Sequence, residues 1–578
     1  MMHHVGTLKA SGQMALPPWR SRVLFVCLLA GFVGLLARGV YLQGINNGFL
    51  QQKGDARYGR VVAINAHRGM ISDRNGAPLA ISTPVDSIWA SPQDVKATPK
   101  QIKTLASMLD LNAAKLKRRM LNKSRDFVYL KRQLAPELAG KVAGLGIPGV
   151  SLQREYRRYY PSGDVTSQLI GFTNVDDKGQ EGIELALQSL LSGKAGSQRV
   201  IKDRRGQIVE DVASLRLPKE GGDVVLSLDN KIQFMAFREI RKAVEDHKAK
   251  AGSIVVLDAK TGEVLALANW PSFNPNNRSN LEPGAMRNRV VTDMFEPGST
   301  MKPFTVAAAL ELGKVKPDTI INTENGVYKL GGRTIHDTHQ AASLSVAQVI
   351  QKSSNVGAAK IALLMKPKQL WTSLSEDGFG AQTGSGFPGE SPGILRDYKK
   401  WRPIEQATMS YGNGISVTLL QLARAYTAFA NDGELLPVTL FKREVPPIGI
   451  SVFSPATAHA VKDMLETVVR PGGTAPLAQI TGYRVAGKTG TAHKVEGGRY
   501  VDHYVASFVG MAPASNPRLI VAVMVNDPSG AAYYGGLVAA PVFRNVMGSA
   551  LRQFNVPNDA PLDNVMRPDP SEFVREDV

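Results

Sequence analysis

Between Val23 and Ala37 no charged side chain interrupts the run VLFVCLLAGFVGLLA, and past Arg38 the apolar character resumes through Leu42. Counted to Leu42 the stretch is about 20 residues, the length of helix that crosses a bilayer, with Arg38 able to extend its charge to the interface. Lys9, Arg20 and Arg22 precede it. Basic flanks stay cytoplasmic, so residues 1–22 are expected as a cytoplasmic tail, 23–42 as a single-pass membrane anchor, and everything beyond as exported chain. A cleavable export signal would end in a small-x-small site, and no convincing one follows, so the anchor is expected to stay attached.

The remainder has the composition of folded domains. A chain of 578 residues, 43% hydrophobic and 21% charged, is not wholly disordered, collagen-like or polytopic. Its single cysteine, Cys27, cannot form an internal disulfide, no Cys/His set has zinc-ligand spacing, and no metal or cofactor is expected. Lys plus Arg number 69 and Asp plus Glu 50, a net charge of +19. Nucleic acid is a poor partner for that charge. The densest basic stretch, Lys115, Lys117, Arg118 and Arg119 with Lys123 and Arg125 beyond, reads as one solvated helical face without a recognition helix or stacking aromatics. An anionic lipid or cell-wall surface fits better.

Texture changes along the chain. Residues 43–220 are basic and rich in turns, with an Asn75-Gly76 hairpin signal and helical periodicity from Pro99 to Leu121, and are expected to form a stalk or docking module. Lys219-Glu220-Gly221-Gly222 marks a boundary. In 221–555, Ser253–Asp258 and Glu263–Ala268 read as paired strands, as do Val505–Met511 and Leu519–Val525, with helices Phe304–Leu312 and Leu419–Asn431 between the pairs. Helices segregated between strands of an antiparallel sheet make an α+β fold. Residues 556–578 are Pro-rich and acidic and are expected to be disordered.

Three short patterns carry chemistry. In Phe295-Glu296-Pro297-Gly298-Ser299-Thr300-Met301-Lys302-Pro303, the proline belongs near a helix start, so Ser299 is expected at or beside a helix N-terminus with Lys302 one turn away on the same face. A neutral lysine there can take the hydroxyl proton. Alone this pattern equally describes a capping serine and a solvated lysine. Ser353 and Asn355, in Lys352-Ser353-Ser354-Asn355, can relay a proton and hold a substrate carbonyl or orient Lys302, or can be an ordinary helix cap. Lys488-Thr489-Gly490-Thr491 reads as a strand whose glycine lets a ligand approach, with Lys488, Thr489 and Thr491 gripping the carboxylate of an extended peptide.

Ser-x-x-Lys, Ser-x-Asn and Lys-Thr-Gly in this order are the motif set of penicillin-binding enzymes. With RGMISDRNG, RRYYPSG, GQEGIE and KDRRG in the first half, and FEPGSTMKPF, KSSNVG, SYGNGISVT, AGKTGTA and YYGGLVAAPVF in the second, the chain resembles class B penicillin-binding proteins. The resemblance is to the FtsI-type cell-division peptidoglycan D,D-transpeptidases of Gram-negative bacteria. It implies a transpeptidase fold on an elongated N-terminal pedestal of the dimerisation type, in the periplasm. It also implies that Ser299 is the nucleophile, Lys302 its base and Ser353 and Asn355 the second motif. Lys488, Thr489, Gly490, Thr491, His493, Tyr533 and Tyr534 would meet the substrate, with the N–H groups of Ser299 and Thr491 as oxyanion hole. Stem peptides would be cross-linked during septum formation and β-lactams would acylate Ser299. No glycosyltransferase signature appears, so a SEDS-type polymerase and divisome proteins would be partners.

Gln168, Asn413 and His493 stand where relatives often carry His, Tyr, and Arg or Lys. His493, with His336 and His339, is a candidate for strengthening substrate grip in acid, as in an acid-adapted paralogue; drift at a tolerant rim is the ordinary alternative. A serine β-lactamase lacks support because no E-x-x-L-N run occurs. A D,D-carboxypeptidase and a non-catalytic divisome scaffold or β-lactam sensor stay open as alternatives.

Overall fold

The computed structural model describes residues 18–45, 59–202 and 208–566. The chain divides into two compact units, one of Met1–Asn65, Asp86–Arg154 and Ala195–Lys219, the other of Ala66–Val85, Glu155–Lys194 and Glu220–Val578.

In the first unit the apolar run is helical over Pro18–Val40, and Trp19–Gly44 is long and apolar enough to cross a membrane. Strands Gly59–Ile64, Gly196–Lys202 and Ile208–Arg216 form an antiparallel sheet. The helix expected from Pro99 to Leu121 is two helices, Pro99–Met108 and Ala113–Met120. The break falls where Asp110 adopts φ 52°, a left-handed conformation that ends a helix, and Asn112 caps the next one by accepting from Ala114 N and Lys115 N. Leu105, Leu109, Leu116 and Met120 bury the inner faces of both against Leu130 and Val142. Lys115, Lys117, Arg118 and Arg119 are exposed, the solvated face that the spacing predicts.

The second unit holds more of the first half of the chain than the expected boundary near residue 220 assigns to it. Ile71, Leu79, Leu169, Ile170, Ile183 and Leu191 are buried in the same core as Val224, Leu226 and Ile232, so apolar burial gathers 66–85 and 155–194 here. The Asn75-Gly76 turn forms as expected, with Gly76 at φ 84° between paired strands Ile71–Ser72 and Pro78–Ala90. Glu184 sits between two buried arginines, receiving Arg68 Nε at 2.7 Å and Arg158 Nε at 2.6 Å.

The elements that carry the site are α1 (Asn230–Asp246), β1 (Ala251–Asp258), β2 (Val264–Trp270), α2 (Lys302–Glu311), α3 (Val346–Lys352) and α4 (Asn355–Leu363). They continue with α5 (Pro455–Val469), β3 (Ala486–Glu496), β4 (Arg499–Ala512), β5 (Leu519–Asn526) and α6 (Ala540–Gln553). The five strands form an antiparallel sheet in the order β2-β1-β5-β4-β3. Every residue of β1 is buried, so helices cover both faces of the sheet, and the predicted α+β architecture is the observed one. Strand β3 lies at one end of that order and leaves an edge for other backbone to meet.

The tail expected to be disordered from 556 is fixed as far as 566. Ala560 N donates to Gly482 O, Asn564 Nδ2 donates to the carbonyls of Ile480 and Tyr483, and Asp559 receives Arg484 N. Hydrogen bonds to backbone hold a segment whose composition alone would not. Residues 567–578 lie outside the described residues.

Candidate active site

Gly298–Met301 is a single tight turn that runs into α2, with Pro303 in the first turn of the helix as its missing N–H requires. Ser299 therefore stands beside the helix start, 3% exposed, and Lys302 is fully buried one turn on. Their side chains meet, Nζ to Oγ 2.9 Å. The turn is braced from behind. Tyr426 donates its hydroxyl to Thr300 O at 3.0 Å, Phe304 packs among Phe379, Tyr426 and Phe429, and Phe295 exchanges both backbone hydrogen bonds with Val417 at 3.0 Å.

Helix α3 ends at Lys352, and Ser353 takes φ 63°, ψ 37° before α4 begins. That left-handed residue turns the hydroxyl inward. Its neighbour Ser354 does the capping, receiving Gly357 N at 2.8 Å, so the cap allowed for Ser353 falls one residue later. Lys302 Nζ donates to the Ser353 carbonyl and lies 3.1 Å from its Oγ, while Lys488 Nζ approaches the same Oγ at 2.9 Å. Asn355 opens α4 and donates Nδ2 to His336 O at 3.3 Å. Asp337 beside it receives the Ser354 hydroxyl and Val356 N, tying hairpin Val327–Leu330/Arg333–His336 to the motif.

Lys488 and Thr489 are fully buried on β3, which pairs with β4 in the register Lys488↔Val509 through Thr491↔Ala506. Thr489 Oγ1 shares a hydrogen bond with Thr474 Oγ1 at 2.7 Å, and Thr491 Oγ1 receives Gly535 N at 3.0 Å. Gly490 has a different reason from the one read in the sequence. A Cβ there would stand 2.5 Å from Ser507 Oγ and 2.8 Å from Pro297 O, so the close approach is made by the turn that carries Ser299. Gly298 returns it, since a Cβ on that residue would lie 3.3 Å from Thr491 O. The backbones bearing the two expected oxyanion donors run side by side.

Residues 252–548 match the family model described as penicillin binding protein transpeptidase domain, and residues 63–226 match the penicillin-binding protein dimerisation domain. The chain belongs to the penicillin-binding protein transpeptidase family. It is 45% identical over 548 residues to the probable peptidoglycan D,D-transpeptidase PenA of Neisseria meningitidis, covering 94% of each chain. It is 43% identical over 549 residues to the peptidoglycan D,D-transpeptidase FtsI of Escherichia coli, covering 94% of this chain and 93% of that one. Among solved structures, penicillin-binding protein 3 of Mycobacterium tuberculosis, in complex with aztreonam, aligns over 87% of this chain and 99% of its own, with TM-score 0.68 and 30% identity. The transpeptidase domain of Burkholderia pseudomallei penicillin-binding protein 3 aligns over 58% of this chain and 98% of its own, with TM-score 0.54 and 52% identity.

Within this penicillin-binding protein fold, the remaining expected residues form a wall beside β3. Tyr504 stacks on Tyr533 at 4.3 Å between ring centroids, and Tyr533 and Tyr534 share a hydroxyl hydrogen bond of 2.9 Å. His493 continues the wall, 4.7 Å from Tyr504, and donates Nδ1–H to Val501 O at 3.0 Å, so a neutral ring presents Nε2 as an acceptor. The structure thus joins Ser299, Lys302, Ser353 and Lys488 directly, while His493, Tyr533 and Tyr534 form a separate aromatic rim. Gln168 belongs to neither. It is buried and donates Nε2 to Pro271 O and Ala285 O at 2.9 and 2.8 Å, which makes it a stitch between loops. Sequence reasoning missed Thr474, whose Gly472-Gly473-Thr474 run was the available signal, and Tyr426, which carries none.

Proposed function

We propose that the chain is a peptidoglycan D,D-transpeptidase working through a Ser299 acyl-enzyme. The observation that carries this reading is the buried relay Ser299–Lys302–Ser353–Lys488, with spacings of 2.9, 3.1 and 2.9 Å. Two ammonium ions this close in a dry site would repel, so the relay functions with Lys302 as neutral amine and Lys488 carrying the charge. Ser299 Oγ attacks the penultimate carbonyl of a stem peptide ending in D-alanyl-D-alanine as Lys302 Nζ takes its proton. The N–H groups of Ser299 and Thr491 receive the oxyanion. The C–N bond then breaks, and the leaving D-alanine amine is protonated from Lys302 through Ser353. An amine of a neighbouring stem attacks the ester, its proton passes to Lys302 and on to Ser299 Oγ, and Ser299 leaves as a hydroxyl as the new amide forms.

Lys488, Thr489 and Thr491 bind the terminal carboxylate of a donor lying along the open edge of β3, with the His493, Tyr533 and Tyr534 rim beside it. Asn355 holds a donor carbonyl from the opposite wall. A β-lactam enters as a donor whose leaving group stays tethered, so the ester persists; that the related Mycobacterium tuberculosis protein is solved in complex with aztreonam supports β-lactam binding. The apolar helix anchors the chain in the inner membrane with the catalytic unit in the periplasm, where a SEDS-type polymerase and divisome proteins supply and place the glycan. Intact-mass measurement after incubation with a β-lactam tests the reading. Wild type is expected to gain one drug mass and Ser299→Ala none, and equal labelling of both overturns it.

A further inference from the structure

Glu296 stands just ahead of the turn bearing Ser299, and its carboxylate is shared by the Gly414 loop and the start of β4. Oε1 receives Gly414 N at 2.8 Å, and Oε2 receives the Tyr500 hydroxyl at 3.1 Å. Asn413 Nδ2 reaches the same Tyr500 oxygen at 3.5 Å. Burial raises the Glu296 carboxyl above its ordinary range against the opposing pull of these hydrogen bonds and of Arg396, and raises the Tyr500 hydroxyl to about 12. Tyr500 stays protonated and donates at any working pH.

What this contact holds is the end of the β3–β4 hairpin. The ladder is regular from Ala486↔Met511 to His493↔Tyr504, then slips, and resumes as Lys494↔Val501 and Val495↔Tyr500. Asp502 and His503 are the surplus residues of that bulge, and a bulge interrupts the ladder that would otherwise stiffen the strand pair. Beyond His493 the hairpin end keeps its own pairing, and the bulge is held by His503 Nδ1 to Asp527 Oδ1 at 2.7 Å, just past β5, and by His493 Nδ1 to Val501 O at 3.0 Å. The Glu296 carboxylate fixes it to the two loops that flank the nucleophile.

We infer that Glu296, Tyr500 and Asn413 form a latch that sets the hairpin end beside the cleft and thereby governs affinity for donors that extend past Thr491 along β3. This rests on β3 being the donor-binding strand. Asn413, where relatives often carry Tyr, is then a specificity position, because its amide is one of two groups directed at the Tyr500 hydroxyl. These are positioning residues; none touches the reacting atoms.

The test uses the full chain in detergent and two thioesters with one leaving group, N-benzoyl-D-alanyl thioglycolate and the same thioester extended by the preceding stem residues. Losing one hydrogen bond of this kind is expected to raise KM for the long donor about tenfold in Tyr500→Phe, with a much smaller change for the short donor and in kcat. Glu296→Gln keeps an acceptor for Gly414 N and a partner for Tyr500, and should restore most of the long-donor affinity that Glu296→Ala loses. The double variant Tyr500→Phe/Glu296→Ala should be no worse than Glu296→Ala alone. Equal losses on both donors, or none in Tyr500→Phe, overturn the latch. Failure of wild type to form an ester with either donor would instead overturn the donor-strand reading beneath it.

Discussion

Lys302 and Lys488, from a helix and a sheet edge, bring their amines to one hydroxyl, that of Ser353, at 3.1 and 2.9 Å. Both lysines are fully buried, so in the proposed relay the hydroxyl between them would be the path by which a proton passes from one to the other without meeting solvent.

That route can be cut without disturbing the backbone. Ser353 sits at φ 63°, where glycine is at ease and an L-residue is strained by roughly 1–2 kcal/mol. Ser353→Gly is expected to be more stable than Ser353→Ala by about 1 kcal/mol, yet both should lose about 100-fold or more in acylation, the scale of a lost proton transfer. Stopped-flow labelling with a fluorescent penicillin and urea denaturation read the two effects. Fast labelling in the glycine variant would exclude Ser353 from the relay.

A methyl group at residue 490 should act on the nucleophile from the opposite side of the cleft. Gly490→Ala places carbon 2.8 Å from Pro297 O, so the turn bearing Ser299 must shift. The expected cost is about 1–3 kcal/mol in stability, with slower acylation at unchanged pH profile. An alanine variant that acylates at the wild-type rate would show that the turn yields freely.

Asp177 offers a pH test away from the site. Burial raises its carboxyl to about 6 against the pull of Arg68 and Arg158, and its Oδ1 has no hydrogen-bond partner in the structure. A carboxyl whose folded value lies above its unfolded value of about 4 binds its proton more tightly when folded. Its stabilisation is complete below about pH 4 and is lost as pH rises through 6. Asp177→Asn removes that loss, so its Tm should exceed wild type's progressively from pH 5 to pH 7 and converge below pH 4. A constant offset across this range would contradict the assignment.

The chemistry was legible in the sequence because Ser299 and Lys302 share a helical turn, and because the order of the three motifs is itself specific. The paired strands were legible for the same local reason. The bracing was not. Tyr500 and Glu296 lie 204 residues apart, and no periodicity relates them. Gly490 reads as room for a ligand because a sequence shows that a side chain is missing, not which neighbour needs the space. Texture places 66–85 and 155–194 with the stalk, as the dimerisation-domain match over 63–226 also does, whereas the burial of Leu79 and Ile183 joins them to a core assembled from sequence-distant strands. The break at Asp110 was likewise hidden, since apolar spacing continues across it.

The docked segment after Asn555 fastens the chain just ahead of β3. Tyr483 reaches Val556 O at 2.7 Å, and Asn564 closes over Ile480 and Tyr483 immediately before β3 begins. Trimming by a protease as far as Met566 would leave these ties whole, whereas removal back to Asn555 would unclasp the approach to Lys488. Where such a cut falls decides whether shortening the protein is silent or slackens the strand on which a cell-wall peptide would lie.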